Sequence, residues 1–90
     1  MTEPTYRIHS DVAWRIVDGE LFAVTPDGNL HHVESPTGVF VWKMLDGRAP
    51  SASECAAAVT EAFEVDLETA RKDLAEFLEQ LVSLGVVVKG

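Results

Sequence analysis

The chain has 90 residues, which fits one domain, and its 15 acidic and 7 basic side chains give a formal net charge of −8. This charge argues against nucleic acid and anionic membranes as partners, because Lys and Arg supply most of the attraction to both. The single cysteine excludes an internal disulfide. The sequence shows no signal peptide and no apolar run near the ~20 residues of a membrane span, so we expect a cytoplasmic protein.

The first part of the chain predicts a flexible leader followed by a β-hairpin. Residues 1–10 are polar and contain a proline, so we expect a flexible N-terminal segment before a domain that spans residues 11–90. Two runs rich in β-branched and aromatic residues, 13–17 and 20–25, flank the dipeptide Asp18–Gly19. Such a dipeptide between two strands favours a type I′ turn, because both of its positions need a positive φ.

A third strand is predicted at residues 29–34, and it lies at a sheet edge if the strands pair in sequence order. The dipeptide Ser35–Pro36 starts a first helix that ends near residue 45. Ser51 and Glu54 fit a capping box, which opens a second helix through residue 63. The apolar side chains expected to face inward from these two helices are Val41, Trp42, Leu45, Val59, Ala62 and Phe63.

The third helix is marked most clearly, with Asp66 as its cap and Gly85 as its stop. Its apolar residues recur at steps of three and four and so share one stripe: Leu67, Ala70, Leu74, Phe77, Leu78, Leu81 and Leu84. Residues 86–88 fit a short terminal strand. The pattern predicts an α+β fold, winged helix-turn-helix-like, with a three-stranded antiparallel β-sheet followed by three α-helices.

No catalytic or metal-binding constellation is visible in the sequence. His31 and His32 are adjacent, so on a strand they face opposite sides of the sheet and cannot chelate one ion together. Cys55 has no CxxC partner and lies in an Ala-rich helix, where a small core residue is the commoner role. The glycines form no phosphate-binding motif. We therefore expect no enzymatic activity, no metal site and no cofactor.

Three helices beside a β-meander also occur in DNA-binding regulators. The recognition helix should then be basic, yet the last two helices hold only Arg71 and Lys72 among many acidic residues. This counts against DNA binding, so a winged-helix DNA-binding regulator is kept only as an alternative. A structural accessory subunit that stabilises a modifying enzyme is another.

A peptide-binding groove is the remaining candidate. An edge strand exposes unpaired N–H and C=O groups and can accept an extended peptide as an additional strand. The edge strand would supply Leu30, His31, His32 and Val33, and the third helix would supply Arg71, Leu74, Ala75 and Leu78. A plain core role explains Leu74 and Leu78 at least as well. The same open edge leaves a homodimer, formed by strand pairing or swapping, as a further option.

Three segments of the chain resemble PqqD-like proteins. Residues 35–47, Ser-Pro-Thr-Gly-Val-Phe-Val-Trp-Lys-Met-Leu-Asp-Gly, are similar to a helix of that family in which a small residue leads to Ile-Trp-x-Leu-Leu-Asp-Gly. Residues 63–87, with Phe-Glu-Val-Asp-x-Glu-Thr-Ala and Phe-Leu-Glu-x-Leu-x-x-Leu-Gly-Val, resemble the end of the family. Asp18-Gly-Glu20 stands where those proteins turn their first hairpin. The resemblance covers about residues 11–88.

This resemblance implies a RiPP recognition element (RRE), the leader-binding domain of pathways that make ribosomally synthesised and post-translationally modified peptides. Such a domain is a non-catalytic chaperone that binds the leader segment of a precursor peptide as a strand added beside the third helix. It presents the leader to a modifying enzyme, often a radical-SAM protein. The resemblance thus implies a leader peptide and a modifying enzyme as partners. It carries over the edge strand Leu30–Val33 together with Arg71, Leu74 and Leu78.

Overall fold

The strands form two separate antiparallel sheets in the computed structural model, which describes residues 3–90. The elements in chain order are β1 (Tyr6–Ile8), β2 (Ala13–Val17), β3 (Glu20–Val24), β4 (Leu30–Val33), α1 (Pro36–Leu45), α2 (Ala52–Phe63), α3 (Leu67–Ser83) and β5 (Val87–Lys89). The predicted three-stranded sheet and three helices are confirmed, and a two-stranded sheet is added to them. Within residues 3–90 no helix is both long enough and apolar enough to cross a membrane.

The larger sheet has the order β2-β3-β4, so that β4 lies at one edge and β2 at the other. Asp18 and Gly19 have φ values of 52° and 78°, which is the left-handed conformation that the predicted hairpin turn requires. Pairing of Leu21 with Val33 and of Ala23 with His31 fixes the register of β3 and β4. The inward side chains of β3, from Leu21 and Ala23, are buried beneath the helices.

The smaller sheet corrects the expectation of a flexible leader over residues 1–10. Tyr6–Ile8 pair with β5 from the other end of the chain, and Tyr6 is 4% exposed. The Tyr6 hydroxyl donates to Glu79 Oε2 at 2.7 Å, and Lys89 Nζ lies 2.8 Å from the same oxygen. These bonds give the N-terminal segment a place against α3 that its polar sequence does not reveal. Met1 and Thr2 lie outside the described residues.

The helix caps are the ones that the sequence predicts. Ser35 Oγ accepts from the Gly38 N–H at 3.3 Å, and Asp66 accepts from the Thr69 N–H at 3.2 Å. Ser51 exchanges both bonds of a capping box with its partner three residues later. The local chemistry of these segments therefore defines where each helix begins.

The core lies where the three helices meet the inner face of the sheet. Its largest side chain, Trp42, is fully buried and packs edge-to-face against Trp14, with ring centroids 5.8 Å apart. Val41, Leu45 and Val59 are buried as predicted, and so are the central residues of the α3 stripe: Ala70, Leu74, Leu78 and Leu81. Three predicted inward residues are instead exposed, namely Ala62, Leu67 and Leu84, because they lie at helix ends beyond the packed neighbours.

Candidate functional site

Among residues 3–90, no strand covers the outer edge of β4, which therefore carries unpaired backbone groups at defined positions. The Thr25 N–H donates to the Asn29 carbonyl at 3.0 Å, just beyond the end of the β3–β4 ladder. Hydrogen-bonded and non-hydrogen-bonded pairs alternate along an antiparallel ladder, so His31 and Val33 bond to β3. The N–H and C=O groups of Leu30 and His32 then point away from the sheet. Of the four predicted edge residues, these two offer the backbone for an added strand.

The side chains of β4 alternate in the same way. Leu30, which is 62% exposed, and His32 lie on the outer face, whereas His31 and Val33 are half-buried on the inner face. His32 stacks on Phe22 with ring centroids 4.5 Å apart, which holds its side chain against the sheet. The side chains of β4 therefore lie above and below the sheet and leave its backbone edge open.

Next to the end of β4 is a cavity of 320 Å³, which we call the α1–α3 cavity. It is lined by side chains from the start of α1, the end of α2 and one flank of α3: Ser35, Thr37, Gly38, Val41, Val59, Val65, Thr69, Ala70, Asp73, Leu74 and Phe77. Its lining is mostly apolar, with Asp73 as the charged member. A cavity of this size and character suits one large apolar side chain of a ligand.

Gly38 sets the distance between the β4 edge and this cavity. A Cβ atom at this position would lie 2.8 Å from Val33 Cγ1 and 3.2 Å from Phe77 Cζ. Glycine therefore lets β4, α1 and α3 approach one another more closely than any other residue would.

The four α3 residues predicted for the groove do not share one environment. Leu74 lines the α1–α3 cavity and Leu78 is fully buried, whereas Arg71 and Ala75 are exposed and do not line it. Asp73 is about 200° around the helix from Arg71, at 3.6 residues per turn. The structure therefore brings Leu74 to the cavity and places Arg71 and Ala75 on another side of α3.

Sequence reasoning missed the cavity side of α3, which consists of Thr69, Asp73 and Phe77. Their spacing of four residues is a signal that all three share one side of the helix. The apolar stripe, however, identifies the buried face and does not indicate which flank of that face stays open. This choice depends on where α1 packs.

A second cluster lies on the outer face of the sheet beside β4. His32 Nε2 lies 2.6 Å from Glu20 Oε1, and His32 Nδ1 lies 3.6 Å from Glu34 Oε1. The sequence did not indicate this grouping, because Glu20 and His32 come from different strands. Three such side chains are a possible ligand set for a metal ion. One ligand atom of each residue lies within 4.8 Å of the other two, but all three side chains are at least partly exposed, and the pairwise His32–Glu20 and His32–Glu34 contacts account for the grouping without an ion.

The fold and the open strand edge define the class: the structure has the fold of the RRE domains. It matches TbiB1 in complex with the TbiA(beta) leader peptide with a TM-score of 0.80 and 23% identity, covering 90% of this chain and 93% of that chain. A lasso peptide synthetase B1 complexed with the leader peptide matches with a TM-score of 0.76 and 20% identity, covering 92% and 96%. The PqqD truncation of Methylobacterium extorquens PqqCD, a stand-alone RRE, matches with a TM-score of 0.75 and 17% identity, covering 93% and 88%.

The particular family follows from the sequence itself. The model of the family described as coenzyme PQQ synthesis protein D (PqqD) matches residues 26–87, more than half of the chain. The chain therefore belongs to the PqqD family, as the resemblance predicted. No curated protein matches at a significant level. None of these matches favours the DNA-binding alternative.

Proposed function

We propose that this chain is a non-catalytic chaperone that binds the leader segment of a ribosomally synthesised precursor peptide and presents it to a modifying enzyme. The leader adds as a strand to β4, in the cytoplasm, where the single thiol of Cys55 stays reduced. Support comes from the family match and from the two structural matches whose own proteins are in complex with leader peptides.

The observation that carries this proposal is the outward backbone of Leu30 and His32. An extended peptide gains affinity from main-chain hydrogen bonds to such an edge, whatever its sequence. Every second side chain of the added strand then projects to the inner side of the sheet, where the α1–α3 cavity lies. The backbone would supply affinity and the cavity would supply selectivity for an apolar residue.

A proline at position 32 tests the edge directly. Proline lacks the N–H group, and it is tolerated on an edge strand where that N–H does not serve the ladder. His32→Pro should weaken binding of the leader peptide by about tenfold, because one donor is lost and the ring obstructs the edge. His32→Ala is the matched control, since it removes the same imidazole and keeps the N–H.

The measurement is a titration of the labelled protein with a leader peptide from a precursor encoded near this chain, followed by amide NMR shifts. We expect shifts at β4 and along α3, with His32→Ala binding close to the wild type. If millimolar peptide shifts neither element, or if both variants bind alike, strand addition to β4 is wrong.

The two flanks of α3 can be separated by a second pair of substitutions. Asp73→Asn alters the cavity side, and Arg71→Gln alters the side predicted from the sequence, each by removing one charge. The cavity predicts that Asp73→Asn changes leader affinity more than Arg71→Gln does. A larger effect of Arg71→Gln would instead favour the binding surface predicted from the sequence, which consists of Arg71, Leu74, Ala75 and Leu78.

A further inference from the structure

A second groove opens at the other edge of the three-stranded sheet. It has a volume of 540 Å³ and lies between the segment after β1 and the connection from α1 to α2. We call it the basic groove, because Arg7, His9 and Arg48 line it above an apolar floor that includes Trp14 and Leu45. No β4 residue and no α3 residue lines it, so it is distinct from the α1–α3 cavity.

The charges of this groove are opposite to those of the molecule as a whole. The chain has a net charge of −8, yet the groove has two guanidinium groups against one carboxylate, that of Asp46. Across residues 3–90, neither Arg7 nor Arg48 has a carboxylate within 4.0 Å. Their charges are therefore available to an anionic partner, and the acidic remainder of the surface would repel such a partner elsewhere.

Both walls of the basic groove are held by backbone hydrogen bonds. The His9 N–H donates to the Val86 carbonyl at 3.0 Å, and the Val12 N–H donates to the His9 carbonyl at 3.1 Å. The His9 Nδ1 accepts from the Asp11 N–H at 3.0 Å, which leaves Nε2 as the N–H donor of the neutral ring. On the other wall the Arg48 N–H donates to the Leu45 carbonyl at 3.3 Å. The groove is thus a formed feature of the fold.

The floor of the groove adjoins an unpaired strand edge. Val17 and Glu20 close the two-residue hairpin as a hydrogen-bonded pair, so alternation turns the backbone groups of Trp14 and Ile16 outward from β2. No strand pairs with this side of β2 in the part of the chain that the structure describes. Trp14 therefore offers both an apolar surface in the groove and backbone groups beside it.

We propose that the basic groove docks an extended acidic segment of the modifying enzyme, which pairs with β2 while its carboxylates meet Arg7 and Arg48. The enzyme as partner rests on the proposed function, whereas the acidic chemistry rests on the groove alone. Because β2 and β4 are opposite edges of one sheet, the leader and the enzyme segment can be bound together. The leader, β4, β3, β2 and the enzyme segment would then form one five-stranded sheet.

The first test uses a synthetic peptide of about ten residues that alternates Glu and Val, a pattern that places its charges on one face of a strand. A peptide that alternates Lys and Val is the matched control. We expect the acidic peptide to shift the amides of Trp14, Ile16, residues 9–12 and residues 46–49 in NMR titrations. Equal shifts with both peptides, or shifts at β4 instead, would overturn the proposal.

Charge-matched variants sharpen this test. Arg7→Glu with Arg48→Glu should weaken binding of the acidic peptide by about tenfold or more, whereas Lys43→Glu with Lys72→Glu makes the same change in net charge away from both the groove and β2. Arg48→Gln alone, in a loop, serves if the double variant is poorly folded. If both double variants lose the same affinity for the acidic peptide, the effect comes from net charge, and a specific binding groove is excluded.

The last step identifies the occupant. The purified modifying enzyme should displace the acidic peptide from the protein, and the groove variant should lose enzyme binding while its leader titration stays unchanged. An enzyme that binds without displacing the peptide would refute this docking site. Failure of the unmodified protein to bind the leader, while the acidic peptide and the enzyme still bind, would instead contradict the proposed function, so the two failures are distinguishable.

Discussion

The two sheets of this molecule use their polar groups in different ways. In the β1–β5 sheet, the Lys89 ammonium and, to a smaller extent, the Tyr6 hydroxyl both bond to the Glu79 carboxylate and lower the pKa of that group. In the three-stranded sheet, the outward backbone groups of Leu30 and His32 have no partner within the described residues 3–90. The first sheet therefore contributes to stability, whereas the second keeps its edge for a partner. Substitutions in the first should change unfolding, and substitutions at the second should change binding.

The largest effect is expected at the centre of the core, on which the three-stranded sheet packs. Trp42 is fully buried against Trp14, and its truncation leaves a cavity under the three-stranded sheet and the helices. Trp42→Ala should lower the free energy of unfolding by about 3–5 kcal/mol. Urea denaturation followed by circular dichroism measures this, with Lys43→Ala as the exposed neighbour. A loss below ~1 kcal/mol would mean that the core is not centred on Trp42.

The β1–β5 sheet should show its role at high pH. Burial, followed by the hydrogen bond to Glu79 and the charge of that carboxylate, raises the pKa of Tyr6 to about 12. The folded state thus holds the phenol proton more tightly than the unfolded state, whose pKa is near 10.0. The resulting stability, at most about 3 kcal/mol, is complete below pH ~10 and is lost as the pH rises through ~12.

Tyr6 is the single tyrosine of the chain, so phenolate absorbance reports its titration without overlap from another tyrosine. Tyr6→Phe should abolish the additional loss of stability above pH ~10, which separates it from lysine titration. Leader affinity should not change in this variant, because Tyr6 lies in the closed sheet. A Tyr6 pKa close to the usual value would show that β1 is not packed against α3.

The helix starts could be predicted because each depends on three or four neighbouring residues. Ser51 with Glu54, and Asp66 with the Thr69 N–H, satisfy the first turn locally. The β1–β5 sheet could not be predicted, since two three-residue strands from opposite ends of the chain carry no local pattern that connects them. The edge strand followed from strand order, but the side of α3 that faces it depended on packing around Gly38.

Gly38→Ala is expected to change both stability and leader binding. A helical Gly→Ala change favours the helix by about 1 kcal/mol, whereas the new Cβ, 2.8 Å from Val33 Cγ1, costs about 1–3 kcal/mol by overpacking. Stability should therefore fall by about 1 kcal/mol, and leader affinity should fall further because Val33 and Phe77 are displaced. Isothermal calorimetry and urea denaturation measure the two effects.

A second substitution controls for this displacement. Val33→Ala removes the Cγ1 atom that the new methyl group meets, so Gly38→Ala should be less damaging in that background than in the wild type. Additive losses in the double variant would contradict a direct contact between the two positions.

The native thiol of Cys55 should be nearly inert, so its labelling can report small changes in the population of the unfolded state. The side chain is fully buried, and burial, assisted by the Glu54 charge, raises its pKa to about 11, so little thiolate exists at neutral pH. Labelling by a thiol reagent then requires unfolding, and its rate follows the population of the open state.

Leader peptide at 100 times its Kd should slow labelling by about a hundredfold. Tyr6→Phe should accelerate it about fivefold, for a hydrogen bond worth about 1 kcal/mol, and His32→Ala should leave it nearly unchanged. A similar acceleration in both variants would show that the β4 edge also supports the core, and the division between a closed sheet and an open one would then fail.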